Sequence, residues 1–179
     1  NKPKSLSRPF FSISSKNAGE KSTRKIIRVK NILKKNKVDY LLVTAPENVA
    51  WVLNIRGYDT SYSPIPNARL LLDKNGEANI FTNPKKITKI KRITAKIHDE
   101  KNFEKILIRL SNKKIWLDSS SCSIFYKNLL QKKNKIIEKT DPIHFLKSIK
   151  NNTEIKNIKK SHLIDGIALT KFLFWLKKS

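Results

Sequence analysis

Short apolar runs alternate with helical stripes along most of this chain, and that alternation constrains the fold more than any other feature. "DYLLVT", residues 39–44, holds a short continuous apolar run, the mark of a strand buried on both faces. A helical stripe precedes it: Ile26, Val29, Ile32 and Leu33 recur at helical spacing, with Ser22 placed to cap the start and Asn36 near the end. "PENVAWVLN" follows, with Pro46 in the first turn of a second helix. "ARLLLD" and "ANIFT" flank Asn75-Gly76 and form a hairpin. "NPKKITKIKRI" is expected to form a short helix, "AKIHD" a strand and "NFEKILIRL" a helix. Next come "KIWLD" as a strand, "SSSCSIFYKNLLQKK" as a serine-capped helix and "KIIEK" as a final strand. Strands alternating with helices, with one hairpin inserted, predict an α/β domain: a mixed sheet with helices on both faces.

The pattern changes at residue 141. A short helical stretch starts at Asp141-Pro142 and reaches a polar break at 151–152. A long helix then begins, capped near Asn152 or Thr153. Ile155, Ile158, His162, Asp165, Leu169, Phe172 and Leu176 fall on one of its faces. No strand follows it, so it is expected to be the first element of a truncated second domain. The first residue is Asn and the chain contains no Met, which predicts a piece of a longer protein. The expected divisions are a linker over 1–17, an α/β domain over 18–140, and a bridge plus first helix of the missing domain over 141–179.

Composition excludes some roles. A single cysteine, Cys122, rules out an intrachain disulfide framework and fits a reducing compartment. No run of about 18 apolar residues could cross a membrane. The net charge of +25 favours polyanions, yet only seven of the 39 cationic residues are Arg. Lysine is spread over nearly every block, alongside abundant Asn and Ile. That pattern predicts weak, salt-sensitive, non-specific polyanion binding. A basic α/β module binding nucleic acid non-specifically is the alternative reading of such a chain.

Catalytic constellations are incomplete. His98, His144 and His162 form no HxxxH or HExxH pair, and His162 with Asp165 supplies only an edge of a metal site. Cys122 lies among serines at a helix start, where a thiolate would be favoured, with no histidine near it in sequence. With four glycines, the chain has no Gly-rich phosphate loop. No catalytic and no metal-ligating residue is assigned.

One stretch stands apart. "ENVAWVLNIRGYDTSYSPIP", residues 47–66, gathers Trp51, Arg56, Asp59 and Tyr62 into a short span. Trp51 fits a core or interface aromatic. Arg56 and Asp59 flank Gly57 and could pair with each other across a tight turn. The same four residues are candidates for a substrate-cleft wall or a domain interface, since loops on a rigid scaffold often carry such roles.

This stretch resembles "IAWLLNIRG.D..YNP" of the three-domain X-prolyl aminopeptidases, the aminopeptidase P family, which are pita-bread metallopeptidases related to creatinase and prolidase. "NAGEKSTRKIIRVKNILKKNKVDYLLVT" is similar to that family's entry into its middle domain. "DPIHFLKSIKNNTEIKNIKKSHLIDGIALTKFLFWL" is similar to its bridge into the catalytic domain. The matches run in order from about Ala18 to Leu176. Ser63-Pro64 departs from the family's Asn-Pro. The resemblance implies a creatinase amino-terminal-like fold and an enzyme that removes an N-terminal residue preceding proline. It also implies two manganese ions held by residues that have no counterpart here, a cytoplasmic location and a homodimer. The chain would then be a non-catalytic fragment without cofactors of its own. It would pack against the remainder of the same peptidase and flank a peptide substrate with proline at its second position.

Overall fold

The computed structural model describes residues 8–178. The first seven residues of the expected linker, and Ser179, lie outside the described residues. The elements in chain order are β1 (Phe11–Ser12), α1 (Ser15–Ala18), α2 (Ser22–Lys35), β2 (Tyr40–Val43), α3 (Pro46–Leu53) and β3 (Ile55–Arg56). Then follow β4 (Arg69–Asp73), β5 (Ala78–Thr82), β6 (Lys96–Asp99), α4 (Phe103–Ile108), β7 (Lys114–Leu117), α5 (Ile124–Gln131) and β8 (Lys135–Glu138). The chain continues with α6 (Pro142–Ser148) and α7 (Asn152–Lys178).

Among the described residues, six strands form one mixed sheet in the order β6-β5-β4-β2-β7-β8. β4 runs against its neighbours β2 and β5, while the β2–β7, β7–β8 and β5–β6 pairs are parallel. The two-residue period of a strand sends alternate side chains to opposite faces, and two cores result. Leu41, Val43, Leu70, Leu72, Ile80 and Trp116 face a cluster covered by α2, α3 and α6. Leu42, Leu71, Phe81, Ile115 and Leu117 face a second cluster that includes Phe103, Leu107 and Leu130 of α4 and α5. Central strands buried on both sides explain the continuous apolar runs. The predicted architecture, a mixed sheet with helices on both faces followed by a long C-terminal helix, is the one observed.

Several local expectations change. Lys21, not Ser22, occupies the cap position of α2, and the Ser22 hydroxyl instead meets Thr94 Oγ1 at 2.7 Å. Residues 83–93 form only one 3₁₀ turn, Pro84–Lys86. The described part of the lead-in packs on the core: Phe10 is fully buried, and β1 pairs antiparallel with β3. Gly57 makes this possible, since a Cβ there would lie 2.8 Å from Pro66 Cα and 2.9 Å from the Phe10 ring.

The core extends past residue 141. Ile143 and Leu146 of α6 are buried in the same core as α2 and α3. Asp141 caps α6 through the Ile143 N–H and accepts a bond from Asn48 Nδ2, both at 2.8 Å. Through those contacts α6 completes the α/β core rather than bridging away from it. α7 differs: none of its 27 residues is buried.

Candidate functional site

The four candidate residues do not form one wall. Trp51 bonds to Glu154 at the root of α7, and Arg56 feels the same carboxylate; Asp59 pairs with Lys86, and Tyr62 projects into solvent.

Trp51 lies on α3, 7% exposed, with its ring against the core. Lys25 of α2 places its ammonium 4.1 Å from the Trp51 ring centroid. The same Nζ donates to Trp51 O at 3.0 Å and to Asn54 Oδ1 at 2.8 Å. Asn54 sits in the left-handed region that ends α3, and its amide donates to Glu20 O at 2.8 Å. On the other side, Trp51 Nε1 donates to Glu154 Oε1 at 3.3 Å.

Glu154 belongs to a reciprocal cap. Asn151 Oδ1 accepts from the Glu154 N–H, and Glu154 Oε2 accepts from the Asn151 N–H, each at 2.9 Å. This is a capping box, which satisfies two orphan donors at once. It moves the cap from the expected Asn152 or Thr153 to Asn151. Asn151 also donates to Ala18 O at 2.9 Å, and Asn157 donates to Asn17 O at 3.1 Å. The first turns of α7 are thereby tied to α1.

The charges here are strongly coupled to burial. Loss of water pushes the Lys25 ammonium down to about 8, opposed by Glu154 and Glu20. Burial also pushes the Arg56 guanidinium down, again opposed by Glu154. Arg56 Nη1 donates to two backbone carbonyls, Ile55 O at 2.8 Å and Ala50 O at 3.1 Å. The expected Arg56–Asp59 pair is therefore absent.

Asp59 instead pairs with Lys86, both side chains 8% exposed. Its other oxygen accepts from the Asn67 N–H at 2.6 Å. These bonds hold the 57–67 loop against the turn that follows β5. Tyr62 is fully exposed, with a left-handed φ of 63°. Burial pushes the Cys122 thiol up, which opposes the thiolate that a helix start would favour.

Sequence reasoning missed Lys25, Lys86, Asn151 and Glu154. Two signals were available: Lys25 lies four residues before Val29, on the apolar stripe of α2, and Asn151-x-x-Glu154 is a cap signature. Lys86 gave no such signal, because its partner is 27 residues away. Among the described residues, no three His, Cys, Asp or Glu side chains gather to hold a metal ion. What the cluster can do is mechanical: it fixes where α7 leaves the domain.

Comparisons with known proteins bear on the family and the fold. Residues 1–154 match the family described as Creatinase/Prolidase N-terminal domain. The chain is 30% identical to Xaa-Pro aminopeptidase 1 of Dictyostelium discoideum, over 94% of this chain and 27% of that protein. It is 28% identical to Xaa-Pro aminopeptidase ApepP of Drosophila melanogaster, over 98% of this chain and 30% of that one. Its fold is similar to a solved X-prolyl aminopeptidase of Caenorhabditis elegans, described as a cytosolic enzyme with a di-nuclear active site. That match has a TM-score of 0.87 at 22% identity and covers 99% of this chain and 31% of the other.

Proposed function

The chain belongs to the Creatinase/Prolidase N-terminal domain family, and from that premise we propose that it is the non-catalytic support of an X-prolyl aminopeptidase. The observation that carries the reading is α7. The relatives extend well beyond the matched segment, and α7 is apolar and exposed along its length. Ile155, Ile158, Leu169, Phe172, Trp175 and Leu176 present a face larger than a solvated linker needs. In this reading α7 is the first helix of a pita-bread catalytic domain, and the family match, which ends at residue 154, reaches only its first turn. The α/β unit, including β1 and Phe10, then forms a rigid platform. The Lys25–Trp51–Glu154 cluster sets the angle at which the catalytic domain attaches, and Arg56 stiffens the same junction.

The substrate of the whole enzyme is a peptide with proline at its second position. Its two metal ions, manganese in this reading, sit on residues of the catalytic domain. Tyr62, exposed on its loop, is the candidate to line the substrate cleft, while Asp59 holds that loop in place. The enzyme acts in the cytoplasm as a homodimer. Among the described residues no helix is long and apolar enough to cross a membrane.

The test compares two polypeptides in an X-Pro peptide assay with manganese. Two-metal hydrolysis needs both ions held around an activated water, so the 179-residue chain alone should release nothing. Joined through α7 to the catalytic domain of a relative, it should support turnover. Changing Leu169 and Phe172 to Asp should abolish that turnover. Turnover by the rigorously pure chain alone would overturn the proposal, as would a joined enzyme indifferent to both substitutions.

A further inference from the structure

Two lysine clusters, Lys113-Lys114 and Lys132-Lys133-Asn134-Lys135, are 18 residues or more apart in sequence. The sheet brings them together, because β7 and β8 pair in parallel with Lys114 opposite Lys135. The loops that open these strands are also tied to each other. Asn112 N–H donates to Lys133 O, and Lys135 N–H to Lys113 O, each at 2.8 Å. The Asn134 side chain accepts from the Lys113 N–H at 3.1 Å and donates to Leu110 O and Leu130 O at 2.9 and 3.0 Å.

The result is an open concavity of about 580 Å³ at one end of the sheet. Five lysines line it, together with Asn112, Gln131 and Asn134, and no carboxylate does. All five are exposed, and none is ion-paired among the described residues. Lys127, one turn back on α5, shows the contrast by pairing with Glu138 at 2.8 Å. Asp39, which feels the charge of Lys113, is already engaged. Its oxygens accept from Lys74 Nζ at 2.8 Å and from the Lys114 N–H at 2.9 Å. The C-terminus of α5 attracts cations, but Asn134 already satisfies its Leu130 carbonyl, and five charges exceed what one helix end needs.

Like charges held in a concavity concentrate small anions. Lysine binds phosphate as a point charge, and several together suit a chain of phosphates. The lining has no aromatic ring on which a base could stack and no Arg for bidentate readout of a base edge. We propose that this concavity, at the start of β7 and β8, binds the phosphate chain of a compact polyphosphate anion. The site is separate from the α7 junction and independent of the peptidase reading. The phosphate chain could be free polyphosphate or the tail of a nucleoside triphosphate.

The experiment titrates the full chain with tripolyphosphate, ATP, AMP and a single-stranded oligonucleotide at physiological ionic strength, by calorimetry. The triple variant Lys132→Gln, Lys133→Gln, Lys135→Gln removes three charges at the site. The control Lys156→Gln, Lys159→Gln, Lys160→Gln removes three from α7. Tripolyphosphate affinity should fall about tenfold or more in the first and stay within about twofold in the second, since net charge alone would move both equally. Charge reversal at a single exposed position, Lys133→Glu, should reproduce the loss with minimal risk to folding. ATP matching tripolyphosphate, with AMP much weaker, assigns the nucleotide tail; tripolyphosphate alone assigns free polyphosphate. Equal losses in both triple variants would overturn the site in favour of diffuse charge. So would absence of tripolyphosphate binding, or tighter binding of the oligonucleotide through the same lysines.

Discussion

At the residue scale, two buried cations carry most of the chemistry. Lys25 gives up its proton near pH 8 in the folded chain and near its ordinary value of 10.5 in the unfolded one. Between those values the unfolded chain holds one more proton, so stability rises with pH across that window. The full shift corresponds to roughly 3 kcal/mol. Relative to Lys25→Met, the parent chain should therefore gain stability as pH rises from about 8 towards 10.5. Urea unfolding of both proteins at several pH values measures this, and a difference that stays flat would mean that Lys25 is not desolvated. The Asp59–Lys86 pair behaves differently. Lys86→Met leaves a buried carboxylate unpaired and should cost about 3 kcal/mol, whereas Lys86→Met with Asp59→Leu should recover most of it. Equal losses in single and double variants would show that the pair is not what locks the loop. Trp51 is buried, in keeping with an aromatic on an apolar stripe. An Arg56–Asp59 pair looked natural from proximity in sequence, but side chains three apart in a turn need not face each other. Arg56 found carbonyls at the end of α3 instead.

At the element scale, the placement of α6 has the largest consequence. Its apolar residues look alike whether they close the first core or open a second domain, so periodicity cannot assign them. Burial of Ile143 and Leu146 assigns them to the first core. Ile143→Ala should destabilise the domain by about 2–5 kcal/mol, the range for emptying a well-packed apolar site. Thermal unfolding of that variant checks it, and a loss of only a few tenths would put α6 outside the core. A chain ending at Asn151 keeps α6 and should unfold cooperatively. A chain ending at Thr140 should not fold. The turn at 84–86 teaches the converse: "NPKKITKIKRI" carries helical spacing, yet after one 3₁₀ turn its apolar residues are used singly, Ile87 and Ile90 being buried in the core.

At the scale of the whole molecule, the α/β unit is closed and α7 is open. Exposed apolar surface of this extent promotes association. Sedimentation should show the full chain self-associating in a concentration-dependent way, and the chain ending at Asn151 sedimenting as a monomer. Equal association of both would place the contact on the α/β unit instead. Capping-box substitution offers a finer probe. Glu154→Ala removes one cap bond and the Trp51 contact and should cost about 1 kcal/mol. It should also loosen the angle of α7, read by distance measurements between spin labels on α2 and α7.

The sequence by itself determined the layered class, the six strands of the main sheet and the hairpin. These depend on short-range periodicity and on turn chemistry at Asn75-Gly76, and both are written within a few residues. It also displayed the open apolar face of α7, because amphipathicity is a local property. Tertiary structure alone decided which charges were buried and with whom. Lys25 with Trp51, Asp59 with Lys86, and the five lysines at the start of β7 and β8 are each brought together by strand order or helix packing. Their partners lie 26, 27 and some 20 residues away. A side chain's charge is visible in the chain, but the cost of removing it from water depends on neighbours that only the folded sheet supplies.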